Sequence, residues 1–439
     1  MKTMLSALCI LSLVTGSLYA NETLNAKDSD PKKLGWMQGF PPERDKTLQA
    51  KDGSFFTFPE MRYSVNHMDE FYPTRIVKSD SEYHYPVRKR FDSNIENITF
   101  TPWGSDKEMT FKEALDVNYT DGIIVMHKGR IIYENYPSHS ALTKDGTHGL
   151  MSVSKSFTGT LAAIAAHEGL LDPNKKVIEY VPELKDSGYK DALVREVMDM
   201  TTAIKYSENY NDPNAEIWKF SLAGNVMRPE SYSGPFNYFE YIKQVKKQDG
   251  IEDGEVFGYK TINTELLGII VQRVYNKDLA DLLSEKIFKP MGAHRDGYYI
   301  LDPSGMAFAG GGLSMNLRDV AYFGEMMRNY GRLNGKQVIP REVVEDIIKG
   351  GGSDNNKLQF EKSGEYPLLK GWGYRNMWWC TNNEDKAFMA RGVHGQAIYI
   401  DPKAEMVIAR FASNPLSSNK YIDPTSIPLY EAVADYLKK

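Results

Sequence analysis

Leu150-Met-Ser152-Val-Ser-Lys155-Ser-Phe-Thr-Gly159-Thr-Leu-Ala-Ala-Ile-Ala-Ala-His-Glu-Gly169-Leu-Leu-Asp172 sets a serine and a lysine one turn apart at the head of an apolar helix. Residues three apart share a helix face, so the Lys155 amine can reach the Ser152 hydroxyl and, with a lowered pKa, take its proton. Phe157, Leu161, Ile164 and Ala165 on the same helix supply burial that disfavours the ammonium form. Gly169, followed by Leu-Leu-Asp-Pro, ends the helix.

The spacing by itself carries little, because Ser29/Lys32, Ser187/Lys190 and Ser417/Lys420 share it. Those three pairs lie among Asp, Pro, Gly and Asn in stretches that read as loops. Only the pair at 152 opens a long apolar helix. The competing reading of that pair is a helix-capping serine beside a solvated lysine.

Composition narrows the field. Residues 1–20 carry a single charge, Lys2, then an apolar core from Met4 to Val14 and a small-residue end at Gly16-Ser-Leu-Tyr-Ala20, the pattern of an export signal. That core is short for a bilayer and no later segment is long and apolar enough, so no membrane span is expected. Cys9 falls inside the signal, leaving Cys380 as the one cysteine of the mature chain. An internal disulfide is then excluded, and the fold must hold by core burial in an oxidising compartment, expected to be a bacterial periplasm. With 53 basic and 58 acidic residues, and no long run of either sign, nucleic acid is not an expected partner. The eight histidines are scattered without metal-site spacing, so no metal or cofactor is expected. Neither a glycine-rich phosphate loop nor a Gly-x-Ser-x-Gly elbow occurs, which argues against a nucleotide enzyme or an α/β-hydrolase.

Along the chain, residues 21–95 are rich in Pro, Lys, Asp and aromatics with little periodicity and read as an N-terminal arm wrapping the body. Gly122-Ile-Ile-Val-Met-His127 and Arg130-Ile-Ile-Tyr-Glu134 flank a Lys128-Gly129 turn and predict a hairpin. A second hairpin, Gln396-Ala-Ile-Tyr-Ile400 and Glu405-Met-Val-Ile-Ala-Arg-Phe411, lies near the other end, followed by a helix from Pro428 to Lys438. Strands at both ends with helices between imply an α+β fold: one antiparallel sheet built from both termini, flanked by helices, and a mostly helical lobe. The expected division places the sheet domain in 96–174 and 301–439 and the helical lobe in 175–300. Within that lobe, 205–256 reads as a long polar and aromatic loop, of the kind that is more often functional than idle. Gly310-Gly-Gly312-Leu-Ser-Met315 starts the return to the sheet.

Gly254-Glu-Val-Phe-Gly-Tyr259-Lys-Thr261-Ile-Asn263 places a tyrosine in a glycine-flanked turn before a buried helix; alone, Tyr259 reads as a packing residue. Set beside the Ser152 helix, it makes the chain resemble the serine β-lactamase and penicillin-binding superfamily, in its class C lactamase-like branch of esterases, peptidases and amide hydrolases. That family carries Ser-x-x-Lys, then Tyr-x-Asn, then Lys/His-x-Gly on a strand near the C-terminus. Here the second element has Thr261 in place of the amide. The third reads Ala390-Arg391-Gly392, without the basic residue at its usual place; an alternative register makes His394-Gly395 its remnant. Met37-Gln-Gly-Phe-Pro-Pro-Glu-Arg-Asp45, Met61-Arg-Tyr-Ser-Val-Asn-His-Met-Asp-Glu70, Tyr206-Ser-Glu-Asn-Tyr210-Asn-Asp-Pro213 and Gly392-Val-His-Gly-Gln396 further resemble the 6-aminohexanoate-dimer hydrolase group.

The resemblance implies an exported serine hydrolase acting on a small-molecule ester or linear amide, with Ser152 as nucleophile and Lys155 and Tyr259 as a coupled base pair. It implies an oxyanion hole from the backbone N–H groups of Ser152 and Val393, and substrate contacts from Tyr210, Thr261, Gly392 and His394. A β-lactamase or peptidoglycan DD-peptidase is one alternative. A non-catalytic cell-wall or partner-binding protein of the same fold is the other.

Overall fold

The structure, a computed structural model, describes residues 23–50, 53–80 and 82–439. The expected export signal, residues 1–20, lies outside the described residues. Strands of the two main sheets follow in chain order as β1 (Thr74–Val77), β2 (Thr120–His127), β3 (Arg130–Asn135), β4 (Thr147–Gly149), β5 (Gly297–Ile300), β6 (Leu313–Asn316), β7 (Gly373–Arg375), β8 (Trp378–Cys380), β9 (Phe388–Gly392), β10 (Gln396–Asp401) and β11 (Met406–Ala412). Four long helices pack on and beside them: α1 (Ser154–His167), α2 (Thr261–Tyr275), α3 (Leu317–Arg328) and α4 (Asp423–Leu437).

Both hairpins form, and β11 pairs antiparallel with β2, from Met406 opposite His127 to Ala412 opposite Thr120. This pairing joins the two ends of the chain into a seven-stranded sheet of order β7-β8-β9-β10-β11-β2-β3. Its central strands are apolar on both faces because both are covered. Ile398 and Val407 would be met by any side chain at Gly324 of α3, whereas the neighbouring Tyr399 faces Tyr430 of α4, with rings 5.3 Å apart. Adjacent strand residues point to opposite faces. Phe157 of α1 stacks on Phe323 of α3 at 4.1 Å, so the apolar side of the Ser152 helix is buried in the same core.

A second, four-stranded sheet of order β1-β5-β6-β4 is the feature that the sequence pattern did not disclose. Its strands are three or four residues long, too short for an alternation to register. One comes from the arm, one precedes Ser152, and two lie either side of residue 301. The chain therefore returns from the glycine triplet through this small sheet and not directly into the large one. The 205–256 stretch is likewise not a continuous loop: Glu216–Gly224 and Tyr238–Gln244 are helical.

The last helix begins at Asp423 and carries Pro428 inside it, five residues before the start expected from that proline. Proline lacks the N–H that the carbonyl four residues back would accept. The Pro424 carbonyl takes the N–H of Trp103 instead, at 2.8 Å, so nothing is left unpaired and the helix continues. Among the described residues no helix is long and apolar enough to cross a membrane.

Candidate active site

Strand β4 delivers the nucleophile candidate. Gly149 N–H donates to Val65 O of the arm and Leu150 N–H to Leu313 O of β6, both at 2.8 Å, so the chain is held from two sides just before Ser152. Met151 then adopts φ 47°, in the left-handed region. That conformation is costly for a residue with a side chain and persists only where its surroundings enforce it. A single 3₁₀ turn, Met151–Val153, carries Ser152 and runs into α1.

Lys155, one turn on, is 1 % exposed, so the reading of a solvated lysine does not hold. Its Nζ donates to Ser152 Oγ at 2.9 Å and to Gly310 O at 2.6 Å. Burial pulls its pKa down to about 8 against the nearby charges of Glu208 and Glu265, which favour the ammonium. A base titrating near neutrality is what abstraction of a serine proton requires. Gly310 is fixed in turn by Glu265 of α2, whose carboxylate accepts the N–H groups of Ala309 and Gly310 at 3.3 and 3.2 Å. Burial pushes the Glu265 carboxyl up to about 8.

Tyr259 lies over the same pair, its ring centroid 5.2 Å from Lys155 Nζ and its phenol within hydrogen-bonding influence of Ser152. Burial, reinforced by Glu208, holds that phenol well above its ordinary pKa, while Ser152 and Arg391 act in the opposite direction. Trp379 and Tyr374 flank the ring at 5.4 and 6.1 Å. Ser152 and Lys155 are thus brought together with Tyr259, which lies more than a hundred residues further along the chain.

The remaining candidates divide. A Cβ at Gly392, the last residue of β9, would stand 3.1 Å from Ser152 N and 2.8 Å from Leu150 O, so only a glycine lets this strand approach the nucleophile's backbone. Val393 follows at once. Tyr210 is half-buried and donates its hydroxyl to Glu208 Oε1 at 2.6 Å. Thr261 is held by Glu208: its hydroxyl and its N–H both donate to that carboxylate, at 2.7 and 2.6 Å, which caps the amide left free at the start of α2. His394 is buried, its Nδ1 lies 2.7 Å from Asn414 O, and its ring meets Phe56 of the arm edge-on. Burial lowers its pKa to about 4, and its contacts link it to the arm and not to Ser152.

Glu208 is the residue that sequence reading missed. Its carboxylate gathers Tyr210 and Thr261 and imposes its charge on both Lys155 and Tyr259. Nothing in Tyr206-Ser-Glu-Asn-Tyr210 sets it apart from other loop acids. Glu265 did leave a signal, a carboxylate within the otherwise apolar helix Thr264-Glu-Leu-Leu-Gly-Ile-Ile-Val271. The side chain of Arg391 turns away to α4, where Nη2 meets Asp423 Oδ1 and Oδ2 at 2.5 and 2.6 Å. Among the described residues no group of His, Cys, Asp and Glu side chains is placed to hold a metal ion.

Comparison with known proteins gives the family. The Beta-lactamase family model matches residues 119–425. A 6-aminohexanoate-dimer hydrolase of Paenarthrobacter ureafaciens is 33% identical over 304 residues, 69% of this chain and 75% of that protein. Among solved structures, a Bacillus anthracis protein assigned as a 6-aminohexanoate-dimer hydrolase superposes with a TM-score of 0.78 at 30% identity, over 91% of this chain and 99% of that one. A family VIII carboxylesterase shares the fold at a TM-score of 0.54 and 17% identity, over 74% of this chain and 96% of that one. With the family model spanning most of the chain and these relatives in agreement, the protein belongs to the beta-lactamase family and is a serine hydrolase of that fold.

Proposed function

We propose that the protein is an exported hydrolase that cleaves a linear amide or an ester through an acyl-enzyme on Ser152. The observation that carries this reading is the 2.9 Å hydrogen bond between Ser152 and a fully buried lysine whose pKa is lowered to about 8. Lys155 accepts the Ser152 proton as Oγ attacks the carbonyl carbon. Tyr259, neutral at rest, relays a proton to the leaving amine or alcohol, and later helps deprotonate the water that releases the acyl group. The Ser152 and Val393 N–H groups stabilise the oxyanion, a role supported by the close approach that Gly392 permits.

Linear substrates are favoured over β-lactams by the fate of Arg391. Ala390 stands at the usual place of a basic residue, and the neighbouring cation of the strand, Arg391, is committed to Asp423. The strand therefore offers no free positive charge for a β-lactam carboxylate. The kinship with the Paenarthrobacter enzyme favours a linear amide in the same way.

Intact-mass spectrometry with a p-nitrophenyl ester, a linear aminohexanoate dimer and a penicillin tests the proposal. Turnover of ester or dimer that vanishes in a normally folded Ser152→Ala variant is expected. Retained turnover in that variant overturns the assignment, and a stable penicillin adduct redirects it to peptidoglycan chemistry. Tyr259→Phe should slow turnover roughly 10²-fold or more, whereas Val393→Ala, which keeps the N–H, should leave it within about threefold.

A further inference from the structure

The face of the large sheet opposite α1 and α3 is covered by α4, and a small cavity of about 10 Å³ lies between them. A volume of that order holds one water-sized occupant. Arg391, Arg410, Asp423 and Tyr430 line it. The two arginines are 5 % and 2 % exposed and Tyr430 is 0 % exposed. Arg391 Nη1 and Arg410 Nη1 have no hydrogen-bond partner in the protein, and Tyr430 Oη closes no full hydrogen bond, its nearest polar neighbour being the Ser426 side chain. Two guanidinium donors, on β9 and β11, therefore lie at one cavity with nothing to donate to, and the Tyr430 hydroxyl of α4 stands at the same cavity.

Charge makes the same demand. A guanidinium stays protonated at any relevant pH. Two of them line the cavity against a single carboxylate, Asp423, and both oxygens of that carboxylate are engaged by Arg391. Arg410 instead gives its Nε–H to the neutral Gly395 O, at 3.0 Å. Aromatic faces offset part of the burial, with Trp379 4.7 Å from Arg391 Cζ and Tyr430 5.5 Å from Arg410 Cζ. They do not cancel a net positive charge, and a buried charge without a counter-ion is strongly disfavoured. A water molecule satisfies the donors but not the charge; an anion satisfies both. A space of about one water favours a monatomic anion over tetrahedral oxyanions and organic acids.

We propose that this cavity is a binding site for one halide ion, chloride in the cell, held by Arg391 Nη1–H, Arg410 Nη1–H and Tyr430 O–H. Arg391 precedes Gly392 directly and Arg410 holds the Gly395 carbonyl, so the ion fastens both ends of the 392–395 turn. The effect of that on hydrolysis rests on the role given above to Val393. The binding itself does not.

The test uses the whole wild-type protein in sodium gluconate, titrated with sodium chloride or bromide at constant ionic strength while Tm is followed. A saturating rise in Tm with both halides is expected, and sodium sulfate should produce none. In Tyr430→Phe, which removes one donor to the ion, the half-saturating concentration should rise about tenfold or more. Anomalous scattering from a bromide-soaked wild-type crystal should place a peak between the two arginines, a readout that needs no variant to fold. The proposal is overturned by a Tm that responds to halide no differently from gluconate, by an unchanged titration in folded Tyr430→Phe, or by a cavity that holds only water. A bromide peak without a saturable effect in solution marks an adventitious ion only and overturns it equally.

Discussion

Lys155 shows how one residue's environment sets the working range of the site. Burial lowers its pKa from 10.5 to about 8, so the free amine grows in as pH rises toward that value. We expect kcat/KM for a neutral ester to climb as pH rises through about 8 and to level about one unit higher, the limb belonging to the coupled Lys155/Tyr259 pair. Because the Glu208 charge raises the Lys155 pKa, Glu208→Gln should shift this limb to lower pH; a shift upward, or none, removes Glu208 from the electrostatics of the site. Stability follows the same titration with a definite sign. Below about pH 8 native and unfolded states both carry the proton and the cost of a buried ammonium is borne in full. Between about 8 and 10.5 the native state gives it up first, so the Lys155 contribution becomes more favourable with rising pH. At this scale Ser152 and Lys155 were legible because both lie on one helix turn. Glu208 was not, because it acts on Thr261 and Lys155 across 53 residues of chain in either direction.

Elements meet at the site through glycines that admit a second backbone. A Cβ at Gly159 of α1 would stand 2.2 Å from Asn376 O, in the turn between β7 and β8. Backbone cannot yield as a side chain can, so Gly159→Ala should destabilise the protein by about 1–3 kcal/mol, read as a lowered urea midpoint at constant m-value. Gly392→Ala is expected to act differently. Its Cβ would press on Leu150 O and Ser152 N, displacing β9 from the nucleophile. Turnover should fall roughly 10²-fold with a Tm loss smaller than that of Gly159→Ala, since one donor of an oxyanion hole is worth about that much. Loss of stability with full activity reverses the assignment. The two hairpins were readable because strand alternation and turn chemistry are local. Pro428 misled because its helical tolerance depends on Trp103, which lies over 300 residues earlier and meets the Pro424 carbonyl only in the folded chain.

Across the whole molecule, the arm is bound to the body by a buried charge cluster. Arg62 and Asp121 are both fully buried, 3.5 Å apart, and His148 Nε2 lies 3.3 Å from the other oxygen of Asp121. Burial favours the protonated carboxyl, yet Arg62 and His148 together hold its pKa below the ordinary value. This support is present above the usual carboxylate range and is lost as pH falls through the depressed native value. Removing Arg62 strands a buried carboxylate beside the strand that pairs the two ends of the chain. Arg62→Met should cost about 3–5 kcal/mol by chemical denaturation, and adding Asp121→Asn should recover part of that loss. If the double variant is no more stable than the single one, packing of the arm and not the charge holds it in place.

What the amino-acid sequence determined alone were the features written in neighbouring residues: the Ser152/Lys155 turn on an apolar helix, the two hairpins, the α+β class and the tyrosine turn at 259. Tertiary structure decided the rest. It buried Lys155 until its amine titrates near neutrality, closed Glu208 onto α2, spent Arg391 on Asp423, and built a second sheet from strands too short to leave a period. Each of these depends on groups distant in sequence meeting in a medium from which water is excluded. Desolvation and long-range charge belong to the packed interior, and no local pattern of residues encodes them.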